Sequence, residues 1–325
     1  MFLVSRQKLG ASLFSRNSKR ETRNVIANLP IISKSTARPH LACEIAADRV
    51  LAARAGSAGH IELCTTHGLP AGAVVPNLGN VNVLDGQVLR LAIAEAMAAV
   101  HDRSRDVIAI LPDAAVRVVM VDFDTLPDKQ HDAEGVIRFR LKKSLPFNVD
   151  QAALSYEVHR LNGHVKVLAA VSPQTVLEEY EAAFRDAGYS PGVVMPSMLA
   201  ALGLVDTSSP TLVVKVDSVS ISVAVVEQDE LRLLRTLENA SGSAVTGAQI
   251  AADVYPSVVF YEDTYGTKVE RVLVGGLPSM ADISTALEAQ VGLRVQSLVS
   301  ARHLEGKDGS VPAPLLAGVI GALAT

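Results

Sequence analysis

Cysteine is scarce: Cys43 and Cys64 are the only two in 325 residues. Two are too few for a disulfide framework in a chain of this length and suit a reducing compartment, so both are expected to fill core. Long apolar runs are missing as well. The longest strongly apolar stretch, "PAPLLAGVIGALA" near the C-terminus, falls well short of the ~20 residues that span a bilayer. The N-terminus has no apolar stretch of signal-peptide length. There is no basic excess: the formal net charge is -4 and the sequence pI about 6.1, which argues against a nucleic-acid partner, because phosphate contacts need a concentrated basic surface. The eight histidines are scattered without metal-ligand spacing; His101-Asp102 and His131-Asp132 read as solvated residues at helix ends. Finally, no glycine occurs between Pro210 and Asn239.

What is present divides unevenly. Hydrophobic residues make up 49% of the chain, enough core for two domains or one bilobed one. Residues 1–40 carry eight Lys or Arg and one acid, net +7, and leave -11 for the rest. This segment reads as a loosely ordered extension; a basic arm resting on anionic lipid is the sharper alternative.

After it, "LACEIA" from Leu41, "RVLAARA" from Arg49 and "HIELCT" from His60 alternate like strands of an antiparallel meander. A helix over 85–101, capped by Asp85, and the buried strand "DVIAIL" from Asp106 follow. The next block changes character. A strand over 115–123, a basic helix over 132–145, strands "ALSYEVHRL" and "HVKVLAAV" and a helix over 173–188 predict an inserted α+β subdomain. The opening arrangement then returns, with strands near 211–217, 219–227 and 230–237, a helix near 246–264, the strand "RVLVGG", a helix near 279–290 and the strand "LRVQSL". Two halves of one design imply an internal duplication. The expected fold is α/β with α+β elements, a ribonuclease-H-like (actin-like) pair of lobes. Its parts are a basic segment 1–40, a first lobe 41–105, an insert 106–189, a return and linker 190–210, and a second lobe 211–325.

In such lobes a β-hairpin turn wraps a phosphate, and a Gly-Gly pair after a strand lets adenosine approach the backbone, as Gly275-Gly276 could. "GYSPG" around Ser190 matches a hydrolase elbow formally, but a helix precedes it and a strand-like run follows, so it reads as a helix-ending turn. On the basic helix, Ile137, Leu141 and Leu145 recur every fourth residue toward a core, with Arg138, Lys142 and Lys143 off that line. That surface is either a solvated face or a docking surface.

The segments "VIAILPDAAVRVVMVDFDTLP", "FRLKKSLPFNVDQAALSYEVH", "VLAAVSPQTVLEEYEAAFRDAGYSPGVVMPSMLAAL" and "RVLVGGLPSMADISTALEAQVGLRVQSL" together resemble the PilM family of type IV pilus assembly proteins, related to FtsA and GspL. The resemblance runs from about Leu41 onward and rests on the order of Leu126-Pro127, Pro146-Phe147 and Tyr156-Glu157. It implies a cytoplasmic scaffold, peripheral to the bacterial inner membrane, that binds the N-terminal cytoplasmic peptide of a PilN-like bitopic membrane protein and works beside a motor ATPase and PilO-like platform proteins. The nucleotide positions depart from the family. Glu44, Ala46 and Leu51 stand where an Asp, a small residue and a Lys are usual, and Lys215 and Asp217 stand where Asp-x-Gly is usual. A side chain in place of that glycine, and a carboxylate beside a triphosphate, oppose binding. The expectation is a degenerate site made of Glu44, Ala46, Lys215, Asp217, Gly275 and Gly276, with no catalysis, metal or resident cofactor. An ATP-binding protein with slow hydrolysis and a GspL-like secretion component are the alternatives. For the partner peptide the resemblance points to a groove beside the insert, with Arg140, Lys143, Leu145 and Phe147 as its wall.

Overall fold

The computed structural model describes residues 14–15, 38–56, 60–100, 102–161, 164–238, 246–304 and 311–324. Most of the basic N-terminal segment and His101 lie outside the described residues. Within that segment, β1 (Phe14–Ser15) pairs antiparallel with residues 193–194. Near the end of the same segment Arg38 donates to the Ala322 carbonyl at 2.8 Å.

Alternating apolar residues form the first meander, β2 (Leu41–Ile45), β3 (Arg49–Ala55) and β4 (Ile61–Gly68). The chain then crosses through α1 (Gly86–Ala99) to β5 (Asp106–Leu111), which lies parallel to β2. Asp85 caps α1 as its sequence position predicts, accepting from the Val88 amide at 3.0 Å. The second lobe repeats this plan. β10 (Thr211–Val216), β11 (Ser220–Glu227) and β12 (Glu230–Glu238) form the meander, α5 (Gly247–Tyr265) crosses to β13 (Arg271–Gly275), and α6 (Ala281–Val291) leads to β14 (Val295–Ser297). The sheet orders are β1-β9-β5-β2-β3-β4 and β12-β11-β10-β13-β14, where β9 is Ser190–Pro196. Each lobe thus has an antiparallel meander whose first strand starts a parallel run, which is the expected duplication.

Between the two, β6 (Arg117–Phe123), β8 (His164–Pro173) and β7 (Ala152–Leu161) make a separate three-stranded sheet covered by α2 (Gln130–Leu141). The insert drawn at 106–189 is too wide for this pairing. β5 lies parallel to β2 and β9 in the first sheet. α3 (Gln174–Asp186) buries Tyr180 and Phe184 in the first lobe's core. The inserted sheet itself occupies 117–173. Its helix also ends at Leu141, earlier than expected, so Leu145 reaches the core from the turn that follows.

Cys43 is fully buried, and burial pushes its thiol far up; Cys64 is only partly buried against the first core. Gly188, at φ 86, ends α3 and Ser190 opens β9, so the Ser190 segment is a turn into a strand, the wrong context for a nucleophile elbow. "PAPLLAGVIGALA" is neither loop nor membrane span. Its second half forms α7 (Ala317–Ala324), buried against α4 (Ser197–Ala201) and β2. No helix among the described residues is long and apolar enough to cross a membrane.

Candidate interlobe site

Strand parity decides which side chains meet between the lobes. On β10, Leu212, Val214 and Val216 face α5 and α6, leaving Thr211, Val213 and Lys215 on the opposite face, toward the first lobe. On β2, Glu44 shares a face with Ala42. The charged residues of these two strands, Glu44 and Lys215, therefore point at each other. Lys215 Nζ donates to Glu44 Oε1 at 2.9 Å, and both side chains are only 4% exposed. The Ser197 hydroxyl, at the start of α4, donates to the same oxygen. Among the described residues Glu44 Oε2 has no hydrogen-bond partner, and it lies against Gly318 of α7, where a Cβ would strike the carboxylate.

A second carboxylate stands beside this pair. Asp113, in a short 3₁₀ turn just past β5, accepts from the Met198 amide at 2.8 Å and from the Ser222 hydroxyl of β11 at 2.7 Å. Burial dominates its titration and raises it to about 6, although the nearby Lys215 ammonium and the two hydrogen bonds pull the other way. Burial alone would lower the Lys215 ammonium, but Glu44, Asp113 and Asp217 outweigh it and leave it above its ordinary value.

Because folding raises the Asp113 carboxyl, the folded state holds its proton more tightly than the unfolded chain, and stability falls as pH rises from about 4 to 6. Asp113→Asn keeps both hydrogen bonds by rotating the Ser222 hydroxyl and removes the titration. The variant should gain on wild type by on the order of 1–3 kcal/mol across that window. Urea midpoints at pH 4 and pH 6 check this; parallel pH profiles for the two proteins would contradict it.

The β10–β11 turn is closed by its own acid. Asp217 Oδ1 accepts from the backbone amides of Val219 at 2.8 Å and Ser220 at 2.7 Å, and Oδ2 from the Ser220 hydroxyl at 3.0 Å. In the first hairpin, Ala46 is buried and its amide donates to the Arg49 carbonyl at 2.9 Å. Leu51, expected where a cation is usual, is core. Arg49 crosses to the second lobe and donates to the Gly276 carbonyl at 2.9 Å. Both glycines are packed on protein: Gly275 against Ala317 and Leu298, and Gly276, at φ 91, against the Val216 backbone.

Of the residues singled out in the sequence, Glu44, Lys215, Asp217, Gly275 and Gly276 line one interlobe seam, with Ala46 in the turn beside Arg49. Asp113, Ser197, Ser222, Arg49 and Gly318 were not foreseen. The available signal for Asp113 was an acid one proline beyond the apolar strand "DVIAIL", at the carboxyl end where α/β sheets place their sites.

The four docking residues separate. Arg140 and Lys143 are exposed, whereas Leu145 is buried in the small sheet's core and Phe147 packs partly buried against it. Phe147→Ala should therefore lower the thermal midpoint, at a cost of about 1–3 kcal/mol, less than a fully buried Phe. The affinity for a partner peptide should not change, and a weakened affinity with an unchanged midpoint would return Phe147 to the surface role.

Two lobes of matching strand order around a polar seam, with a third sheet inserted in the first, define an actin-like fold. The structure aligns with a chain of the PilM–PilN type IV pilus biogenesis complex at a TM-score of 0.72 and 17% identity, covering 88% of this chain and 98% of that one. It also aligns with the cytoplasmic domain of EpsL, an inner membrane component of the type II secretion system of Vibrio cholerae, at a TM-score of 0.50 and 10% identity, covering 87% and 93%. No protein-family model matches the sequence, and no curated protein does. At such identities the likeness establishes the fold.

Proposed function

We propose that the protein is a non-catalytic scaffold of a type IV pilus or related type II secretion platform, working at the cytoplasmic side of the inner membrane without a nucleotide. The observation that carries the second half is the Asp217 turn. A hairpin that wraps a phosphate does so with free backbone amides, and here Val219 and Ser220 already give theirs to a carboxylate. Asp217 thus occupies the electrostatic place of the phosphate. Lys215 is committed to Glu44, and the glycine pair accommodates Ala317, Leu298 and Val216 instead of an adenosine. These residues do not fit Mg·ATP. The slow-ATPase reading loses its support with them.

For the partner, the fold's likeness to a chain of the PilM–PilN complex supports a PilN-like protein, and the segment received is its N-terminal cytoplasmic peptide. Its seat is the concave junction where β6 and β12, each an outer strand of its sheet, approach without pairing. Met120, Leu168 and Leu231 give this junction an apolar floor, and His159, Lys166, Asp229 and Glu230 its polar walls. Two strand edges left unpaired among the described residues, beside apolar side chains, suit the addition of a strand.

Calorimetry tests both halves. The N-terminal peptide of the PilN-like protein from the same genome should bind, and Lys166→Glu, a change on the polar wall, should weaken it about tenfold or more with little effect on the thermal midpoint. Mg·ATP should give no micromolar binding. Micromolar Mg·ATP affinity would overturn the nucleotide-free reading, and absence of peptide binding would overturn the scaffold reading.

A further inference from the structure

Helix α5 is apolar nearly all round. Its inner face buries Ile250, Ala251, Val254, Val258 and Tyr261 in the second lobe. Its outer face nonetheless presents Ala252, Tyr255, Pro256, Val259 and Phe260 to solvent, with Phe260 56% exposed. A helix apolar on both sides is normally covered on both sides. The charges on α5 are all acidic: Asp253, Glu262 and Asp263, with no Lys or Arg. The C-terminal end of α2 and the turn after it show the opposite pattern, although Asp132 and Glu134 lie in the first half of that helix. Val136 and Phe139 project from it, Phe139 being 71% exposed, and the run from Arg138 to Lys143 holds four cations and no acid. Arg138 and Lys142 are engaged by Glu134 and Asp150. Arg140, Lys143 and, on α5, Asp263 are exposed and form no ion pair among the described residues. Among the described residues, the three large exposed aromatics are thus confined to the acidic helix α5 and to α2 beside its basic C-terminal end.

We infer that the basic aromatic face of α2 docks on the acidic aromatic face of α5 of a second copy of this chain. Each face supplies what the other lacks: a protruding aromatic to be covered, and charge of the opposite sign around it. The contact joins two different patches. After the first contact one copy keeps an unused α5 and the other an unused α2, so association either closes into a ring or pair or continues as a chain. This goes beyond the scaffold reading and does not depend on it, since neither helix lines the peptide seat or the interlobe seam.

The test is sedimentation velocity of the full chain across the micromolar range at low salt. Wild type should associate in a concentration-dependent way. Phe139→Ser and Phe260→Ser, both at exposed positions, should each weaken association about tenfold or more while keeping the wild-type thermal midpoint. Arg140→Glu combined with Lys143→Glu should weaken it as well, and added salt should narrow that difference. Mixing the two Phe variants is decisive, because one retains an intact α5 face and the other an intact α2 face: the mixture should form a complex that neither forms alone. A wild-type chain that stays monomeric, association untouched by either Phe substitution, or loss in only one of the two variants would overturn the pairing.

Discussion

Lys215→Met should cost about 3–5 kcal/mol of folding stability, because it leaves the Glu44 carboxylate buried without its cation. Ser197 would then be the sole donor to Oε1, while Oε2 already has none. The asymmetry between breaking a buried pair and replacing it makes the prediction sharp. Glu44→Gln together with Lys215→Met removes both charges at similar volume, and such replacements of buried pairs are commonly neutral or stabilising. The double variant should recover most of the loss, and urea unfolding of the two singles and the double closes a cycle in which the coupling is read directly. A single Lys215→Met variant as stable as wild type would mean that water reaches the seam and that the lobes are not closed on each other there.

The second large effect is expected at Gly276. Alanine there must hold φ near 91 and place its Cβ far inside contact distance of the Val216 carbonyl oxygen, a backbone atom that cannot rotate away. The cost should be about 3 kcal/mol or more, from strain and displacement of β10 together. Gly292 is the control: it has φ 76, but nothing lies within 4 Å of its added Cβ. Gly292→Ala should show the conformational penalty alone, about 1–2 kcal/mol. Thermal midpoints of the two variants separate clash from strain, and equal losses would show that the close packing of Gly276 on β10 contributes nothing.

Much of this was legible in the sequence for local reasons. The meanders, α1 with its Asp85 cap and α5 were set by alternation, helical spacing and capping, which act within a few residues. The exceptions had tertiary causes. Nothing local distinguishes β5, whose partners β2 and β9 are far away in sequence, as a first-lobe strand and not the start of the insert. α7 looked like an isolated apolar run because it is covered on all sides, which erases the periodicity that marks a helix. Glu44, Lys215 and Asp217 were found because each breaks an expected nucleotide pattern. Their roles were not, since a cation on β10 reads the same whether it meets a phosphate or a glutamate 171 residues away. The outward faces of α2 and α5 were invisible for a related reason: an apolar residue at helical spacing reads as core until the neighbour that should cover it is missing.

The position of α7 has a consequence for how the protein is made. Every group that α7 touches precedes it in the chain: β2, α4, and Glu44 behind Gly318. As the polypeptide leaves the ribosome, the first lobe can form its sheet and α1 early. The slot between β2 and α4 must then stand open, with an apolar lining and the Glu44 carboxylate at its edge, until residues 317–324 emerge. The most hydrophobic of the described long helices thus reaches its slot only after the elements that line it. During that interval the nascent first lobe presents a ready hold for a trigger-type chaperone, and ribosomes arrested between 216 and 317 should carry chains whose first lobe is protease-sensitive in a way the released protein is not.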